Sequence, residues 1–266
     1  MNPFAFGRSK AAKENAGDAR AARELYLGLM KVCLTNVIYG DLNVLHGQRI
    51  AYDEKLRSEG RDWPACAHTM VGLARLDNVQ FCVEDVLARG VPGDLMETGV
   101  WRGGTVILMR AILKAHGVTD RCVWAADSFA GLPLPNALKY PADDGLTFNR
   151  FRELAVPLEE VQRNFRAYGL LDEQVRFLKG WFSDTLPRAP VRRLAVLRLD
   201  GDLYESTIGA LDHCYPKLQK GGYVIIDDYG DIAACRQAVD DYRGRHGITD
   251  EMMRVDWTAV YWKKAR

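Results

Sequence analysis

From residue 94 onward, short apolar runs alternate with helical stretches, and three of the runs end directly in aspartate; no other feature limits the possible folds as much. Strands apolar along their whole length are buried on both faces, which indicates a parallel sheet covered by helices. The expected strands are residues 94–100, 122–126, 175–178, 194–199 and 223–226, with helices at 103–115, 206–218 and 233–242 and a β-rich edge strand at 257–262. Upstream, Leu25, Leu29 and Val32 recur at helical spacing between residues 21 and 38. Leu73, Leu76, Val79, Val83, Val86 and Leu87 do so between 69 and 89, where Gly90 and Pro92 close the run.

Composition removes several classes. With 266 residues, 48% hydrophobic and 27% charged, the chain can bury a substantial core and is neither a disordered nor a disulfide-stapled protein. A net charge of +1 lacks the basic excess that binding along a nucleic acid demands. Six cysteines without a C-x-x-C pair suit reduced, mostly buried thiols and a cytoplasmic setting. Residues 1–20 lack a signal-peptide core and are expected to form a flexible tail, and no stretch reaches eighteen apolar residues, so no membrane partner is expected. The expected partition is the tail, a helical segment at 21–92, and an α/β domain at 93–266.

Ligands of open α/β sheets bind beyond the carboxyl ends of the strands. The first strand delivers Glu97, Thr98, Gly99, Val100, Trp101, Arg102, Gly103, Gly104 and Thr105: an acid, then three glycines where strand turns to helix. The Glu97 carboxylate suits an ammonium group, and the N–H groups at the helix start suit a carboxylate, so together they suit an amino-acid moiety. The same loop also fits a plain βα turn with a solvated glutamate. A P-loop is disfavoured because Thr105 stands where its lysine belongs, and a dinucleotide fingerprint because Trp101 replaces its middle glycine. That weakens a nicotinamide-dependent oxidoreductase.

The second strand ends in Asp127, Ser128 and Phe129, and an acid there can bind both hydroxyls of a ribose. Ribose joined to an amino acid is the outline of S-adenosylmethionine. Phe129 and the Trp181–Phe182 pair offer flat apolar surface to an adenine, or are ordinary core aromatics.

The most informative cluster is acidic. Asp200 and Asp202 close the fourth strand, Asp227 and Asp228 the fifth, and four carboxylates so placed repel one another unless a cation is present. Hard ions such as Mg²⁺ take oxygen ligands and leave places for water or substrate. Asp200 and Asp202, two apart in an extended segment, are expected to share a face, one serving metal and one serving substrate. Against this, each motif alone also reads as a solvated turn. His68, His116 and His213 read as surface or packing residues, and Cys214 beside His213 does not face it on a helix.

These motifs together resemble the macrocin O-methyltransferase family of S-adenosylmethionine-dependent sugar O-methyltransferases. The resemblance runs through 25–36, Ala67 to Met70, Arg75, Leu76 and Asn78, 97–104, 126–129, Gly180 to Phe182, Asp184 and Thr185, 199–204 and 225–229. It implies a class I methyltransferase, Rossmann-like fold: a mainly parallel seven-stranded sheet with an N-terminal helical extension that helps close the site. It implies that Asp200, Asp227 and Asp228 bind Mg²⁺ and that Asp202 is the general base. It further implies that the loop Glu97 to Gly104, Asp127 and Trp181 contact the cofactor, and that the chain forms a homodimer or higher homo-oligomer. The acceptor is then a small glycoside, macrolide or aminocoumarin, with Tyr52, Trp63, Met70 and a lid at 133–151 as its wall. The alternatives are a catechol-type O-methyltransferase and a non-catalytic adenosine-ligand binding module.

Overall fold

The computed structural model describes residues 4–45 and 47–265. Helix α1 spans Phe4–Leu34, so residues 4–20, expected as a loose tail, are helical, while residues 1–3 lie outside the described residues. The physical reason is composition: alanine, lysine, arginine and glutamate are strong helix formers and no proline interrupts them. The buried stripe also differs from the expected one. Leu27, Met30 and Leu34 face the core, whereas Leu25 and Leu29 are exposed.

A small antiparallel hairpin follows, β1 (Asn43–Leu45) and β2 (Gln48–Ile50), then a short α2 (Glu54–Glu59) and the expected amphipathic α3 (Leu73–Ala88). The α/β unit comprises β3 (Asp94–Thr98), α4 (Gly104–Ala115), β4 (Val123–Asp127), α5 (Leu158–Ala167), β5 (Val175–Lys179), α6 (Phe182–Thr185) and β6 (Leu194–Leu199). It continues through α7 (Tyr204–Cys214), β7 (Leu218–Ile226), α8 (Ala233–Arg245), β8 (Met253–Arg254) and β9 (Val260–Lys263).

Among the described residues, seven strands form one sheet in the order β5-β4-β3-β6-β7-β9-β8. The first five are parallel, and β9 runs antiparallel to both β7 and β8. The mainly parallel α/β architecture read from the sequence is therefore present, with one correction. The last apolar run is not the edge strand, because the two-residue β8, too short to show a period, pairs outside it. Strand alternation feeds two cores: Leu95 and Val196 pack with α1, α3 and α4 on one face, while Met96 and Leu197 pack with α7 and α8 on the other. The chain runs outward from β3 to β4 and β5, then returns to build β6 and β7 on the other side. That reversal puts a crevice between the carboxyl ends of β3 and β6.

The N-terminal segment is fastened by one buried cation. Arg57 is 1% exposed, donates through Nε to both oxygens of Asp62 at 2.9 and 2.8 Å, and through Nη1 to Asp41 at 2.5 Å and to the Thr35 carbonyl at 3.1 Å. These bonds tie the end of α1 to α2 and set residues 61–63 against the crevice. Removing one member of a buried pair leaves the others uncompensated, so Arg57→Met should lower unfolding stability by about 3–5 kcal/mol in denaturant titration. A loss under about 1 kcal/mol contradicts this role.

Candidate active site

A cavity of about 1080 Å³ opens at the crevice, and Glu97, Asp127, Asp200, Asp202, Asp227 and Asp228 all line it. Bonded to three of these carboxylates is Arg198, the one charged residue in β6, whose six residues are all buried. It stands in register with Glu97 across the β3–β6 pair, so the guanidinium meets that carboxylate directly. Its Nη1 also donates to Asp200 Oδ2 at 2.8 Å, and its Nη2 to Asp227 Oδ1. From α3, Arg75 donates to the other oxygen of Asp227 at 2.5 Å and pairs with Asp256 at 3.0 Å.

Asp200, Asp227 and Asp228 each place one carboxylate oxygen within 4.8 Å of the others. Asp202 stands beside this group rather than in it: its backbone N–H donates to Asp228 Oδ2 at 3.2 Å. The expected extended geometry from Asp200 to Asp202 is not what is found. β6 stops at Leu199, and Asp202 adopts a left-handed conformation with φ 58°, so both carboxylates reach the cavity around a turn instead of along one strand face. Close packing contributes to that turn: a Cβ at Gly99 would lie 1.6 Å from the Asp200 carbonyl oxygen, which leaves room only for glycine.

Charge in this cluster is unbalanced. Five carboxylates, those of Glu97, Asp200, Asp202, Asp227 and Asp228, face two guanidinium groups. Burial raises the Glu97 carboxyl to about 8 against the pull of Arg198, with Asp200 and Asp227 adding to the rise. Burial and the neighbouring aspartates also raise Asp202 to about 8 and push Asp228 well up, and burial with Asp227 raises Asp200 to about 6. Asp227 alone of the five goes down: burial opposes, but Arg198 and Arg75 outweigh it. Carboxyl groups that burial and repulsion disfavour as bare anions, with their hard oxygen donors gathered this closely, fit a divalent cation such as Mg²⁺.

The other expected contacts divide. Gly99, Thr105, Ser128 and Trp181 line the cavity, as do Trp63 and Met70. Thr98 is buried in β3 and does not line it. Gly103 starts α4 where a Cβ would meet Val161 at 2.8 Å, and the Gly104 N–H is taken by the His68 carbonyl at 2.8 Å, so these two glycines serve chain packing. Phe129 is 6% exposed and packs edge-on to Phe177 at 6.2 Å; it is a core aromatic and does not line the cavity. Tyr52 packs over Gly40 and Arg57 rather than on the wall. Asp127 does face the cavity, and its oxygens accept the Val100 and Phe129 N–H groups, both at 2.7 Å, which leaves lone pairs for a hydroxyl. His68 bonds Tyr168 at 2.8 Å as a packing residue.

Sequence reasoning missed Arg198 and gave Arg75 no role. The signal for the first is present, since a single arginine inside an otherwise apolar, doubly covered strand requires a buried carboxylate partner.

The chain matches the family described as macrocin O-methyltransferase over residues 23–264. It is 59% identical over 247 residues to the 8-demethyl-8-(2,3-dimethoxy-alpha-L-rhamnosyl)-tetracenomycin-C 4'-O-methyltransferase of Streptomyces olivaceus, covering 91% of this chain and 93% of that one. It is 54% identical over 258 residues to the demethyldecarbamoylnovobiocin O-methyltransferase of Streptomyces niveus, covering 95% and 98%. The solved structure of the O-methyltransferase NovP superposes with a TM-score of 0.89 at 55% identity, covering 92% of this chain and all of the other.

The raised Glu97 has a consequence for stability. Its folded value of about 8 lies above the ordinary 4.5, so its contribution is fully present below pH 4.5 and is lost as pH rises through about 8. Glu97→Gln removes that titration. Without ligands, the variant should melt above the parent protein at about pH 9 and alongside it at about pH 4, as read by calorimetry. Parallel pH profiles contradict the assignment.

Proposed function

We propose that this chain, a methyltransferase belonging to the macrocin O-methyltransferase family, transfers the methyl of S-adenosylmethionine to a deoxysugar hydroxyl of a glycosylated antibiotic, with Mg²⁺ at its acidic cluster. The observation that carries this is the convergence of Asp200, Asp227 and Asp228 within 4.8 Å in the cavity that also holds Glu97 and Asp127. The relative named for a 2,3-dimethoxy-rhamnosyl tetracenomycin supports the acceptor class, since rhamnose is a deoxysugar and that name places the transferred methyl on its 4' oxygen.

Glu97 Oε2 is buried without a hydrogen-bond partner among the described residues and receives the ammonium of the methyl donor. Asp127 and Ser128 receive its ribose, and Trp181, still 39% exposed, lies against its adenine. Asp200, Asp227 and Asp228 hold the cation, which when bound lowers the pKa of an adjacent hydroxyl by direct charge stabilisation. Asp202, next to that group but outside it, takes the hydroxyl proton on a carboxylate oxygen. Trp63, Met70 and the segment 133–151 flank the acceptor, and the site orients oxygen in line with the sulfonium methyl. Leu25 and Leu29, 76% and 53% exposed on the outer face of α1, leave apolar surface for the homo-oligomer that belongs to the same proposal.

The test is mass spectrometry of a glycoside panel after incubation with protein, S-adenosylmethionine and magnesium, where one compound should gain one methyl. EDTA should abolish that gain and excess Mg²⁺ restore it; turnover unchanged in EDTA removes the metal from the account. A positioned base contributes about 10²–10⁴-fold, so Asp202→Asn should lose turnover by that factor while calorimetry shows unchanged donor affinity. Normal turnover in this variant rejects Asp202 as the base.

A further inference from the structure

We propose that Asp143 is a positioning residue that fastens the segment 133–151 to the start of α7 and thereby holds Asp202 in its working conformation; this rests on Asp202 being the proton acceptor.

Asp143 is fully buried, lies outside the cavity wall and has no part in the chemistry described above. Its Oδ1 accepts the Tyr204 N–H at 2.6 Å and its Oδ2 the Glu205 N–H at 3.1 Å. These are the first two residues of α7, whose own N-cap, Leu203, has no side chain able to accept them. The cap that a serine or aspartate at 203 normally supplies locally comes instead from a segment about sixty residues away. A carboxylate is the favoured group for this position because it also meets the positive end of the helix dipole. Tyr140, three residues before Asp143, extends the contact by placing its ring 5.8 Å from that of Tyr204.

What makes this cap consequential is the turn just before it. Asp202 is a non-glycine residue at φ 58°, a conformation that persists only where its surroundings enforce it. On one side, the Asp202 N–H donates to Asp228 at 3.2 Å and the Leu203 N–H to the Gly201 carbonyl at 2.5 Å. On the other side, two residues on, stand the N–H groups held by Asp143. The left-handed turn is thus gripped from the acidic cluster and from the segment that roofs the acceptor. The far end of that roof is fastened separately, by the Trp101 indole N–H on the Glu153 carbonyl at 2.8 Å and by Phe151 against Trp63 at 5.4 Å. Closing the roof therefore also caps the helix that follows the base, so acceptor enclosure and base geometry are set by one contact.

The test is hydrogen exchange on the full-length protein with no acceptor present, read at residues 133–151 and 204–205, together with turnover and donor affinity. Asp143→Ala should exchange about tenfold faster in both regions, the loss expected for one helix cap. It should lower kcat by about tenfold or more with donor Kd unchanged. Asp143→Asn retains an acceptor oxygen suited to capping and should recover both exchange and kcat to within about threefold. Asp143→Ser, with one acceptor oxygen in place of two, should accelerate exchange about threefold and serves if the alanine variant does not fold. Wild-type exchange in the alanine or serine variant overturns the clasp. Faster exchange with unchanged kcat, or a kcat loss that asparagine does not recover, overturns its positioning role. Because exchange needs no acceptor, the clasp stands or falls even if no glycoside is methylated.

Discussion

A single guanidinium, that of Arg198, joins the ends of three adjacent strands. It reaches Glu97 on β3, Asp200 after β6 and Asp227 after β7 from a strand with no other charge, and it is 1% exposed. Buried ions are tolerated only with partners, so this contact fixes the register and spacing of the carboxyl ends around the crevice. It does not neutralise them. Even with Arg75 on Asp227, the carboxylates outnumber the cations, and Glu97, Asp202 and Asp228 are raised first by burial and then by their acidic neighbours. A site optimised for stability alone would not hold so much like charge; one that receives a cationic donor and a dication gains from it.

The scaffold around the cluster absorbs the resulting repulsion and strain. Gly99 lets the backbone after β3 lie against the Asp200 carbonyl, and Thr258 bonds the Asp227 carbonyl at 2.8 Å from the loop before β9. Arg75 ties α3 to that same loop through Asp256, and the Trp257 indole donates to the Glu59 carbonyl at 3.0 Å. The N-terminal helical segment is thus bound to the acidic cluster and to the C-terminal strands at once, and it supplies Trp63 and Met70 to the cavity wall.

Much of this was legible in the chain. The strands 94–98, 123–127, 194–199 and the end of 218–226 declared themselves because they are largely buried, the edge strand 175–179 because it is a short apolar-rich run, and the four aspartates because they follow strand ends. Other features were hidden for physical reasons. The β1–β2 hairpin and β8 are too short to carry a period, and the core stripe of α5, Leu158, Val161 and Phe165, stands in a short and otherwise polar stretch where a sequence reading passes over it. On α1 the apolar residues cover more than one face, so Leu25 and Leu29 looked equivalent to Leu27 and Met30 until packing chose between them. Glycine marks a need for space without naming the neighbour, which is why Gly103 and Gly104, packed on Val161 and His68, read like the cavity-lining Gly99. Asp143 acts on N–H groups about sixty residues away, which only the fold reveals, whereas the lone arginine of β6 signalled a buried carboxylate partner without saying which.

The central claim is that the aspartates grip a divalent ion beside the methyl donor. Electron paramagnetic resonance of Mn²⁺ titrated into the protein, with S-adenosylhomocysteine present, tests it most directly. One bound ion per chain, lost in Asp228→Asn and displaced by excess Mg²⁺, is the expected result. No bound ion, or binding indifferent to the loss of that carboxylate, contradicts the claim.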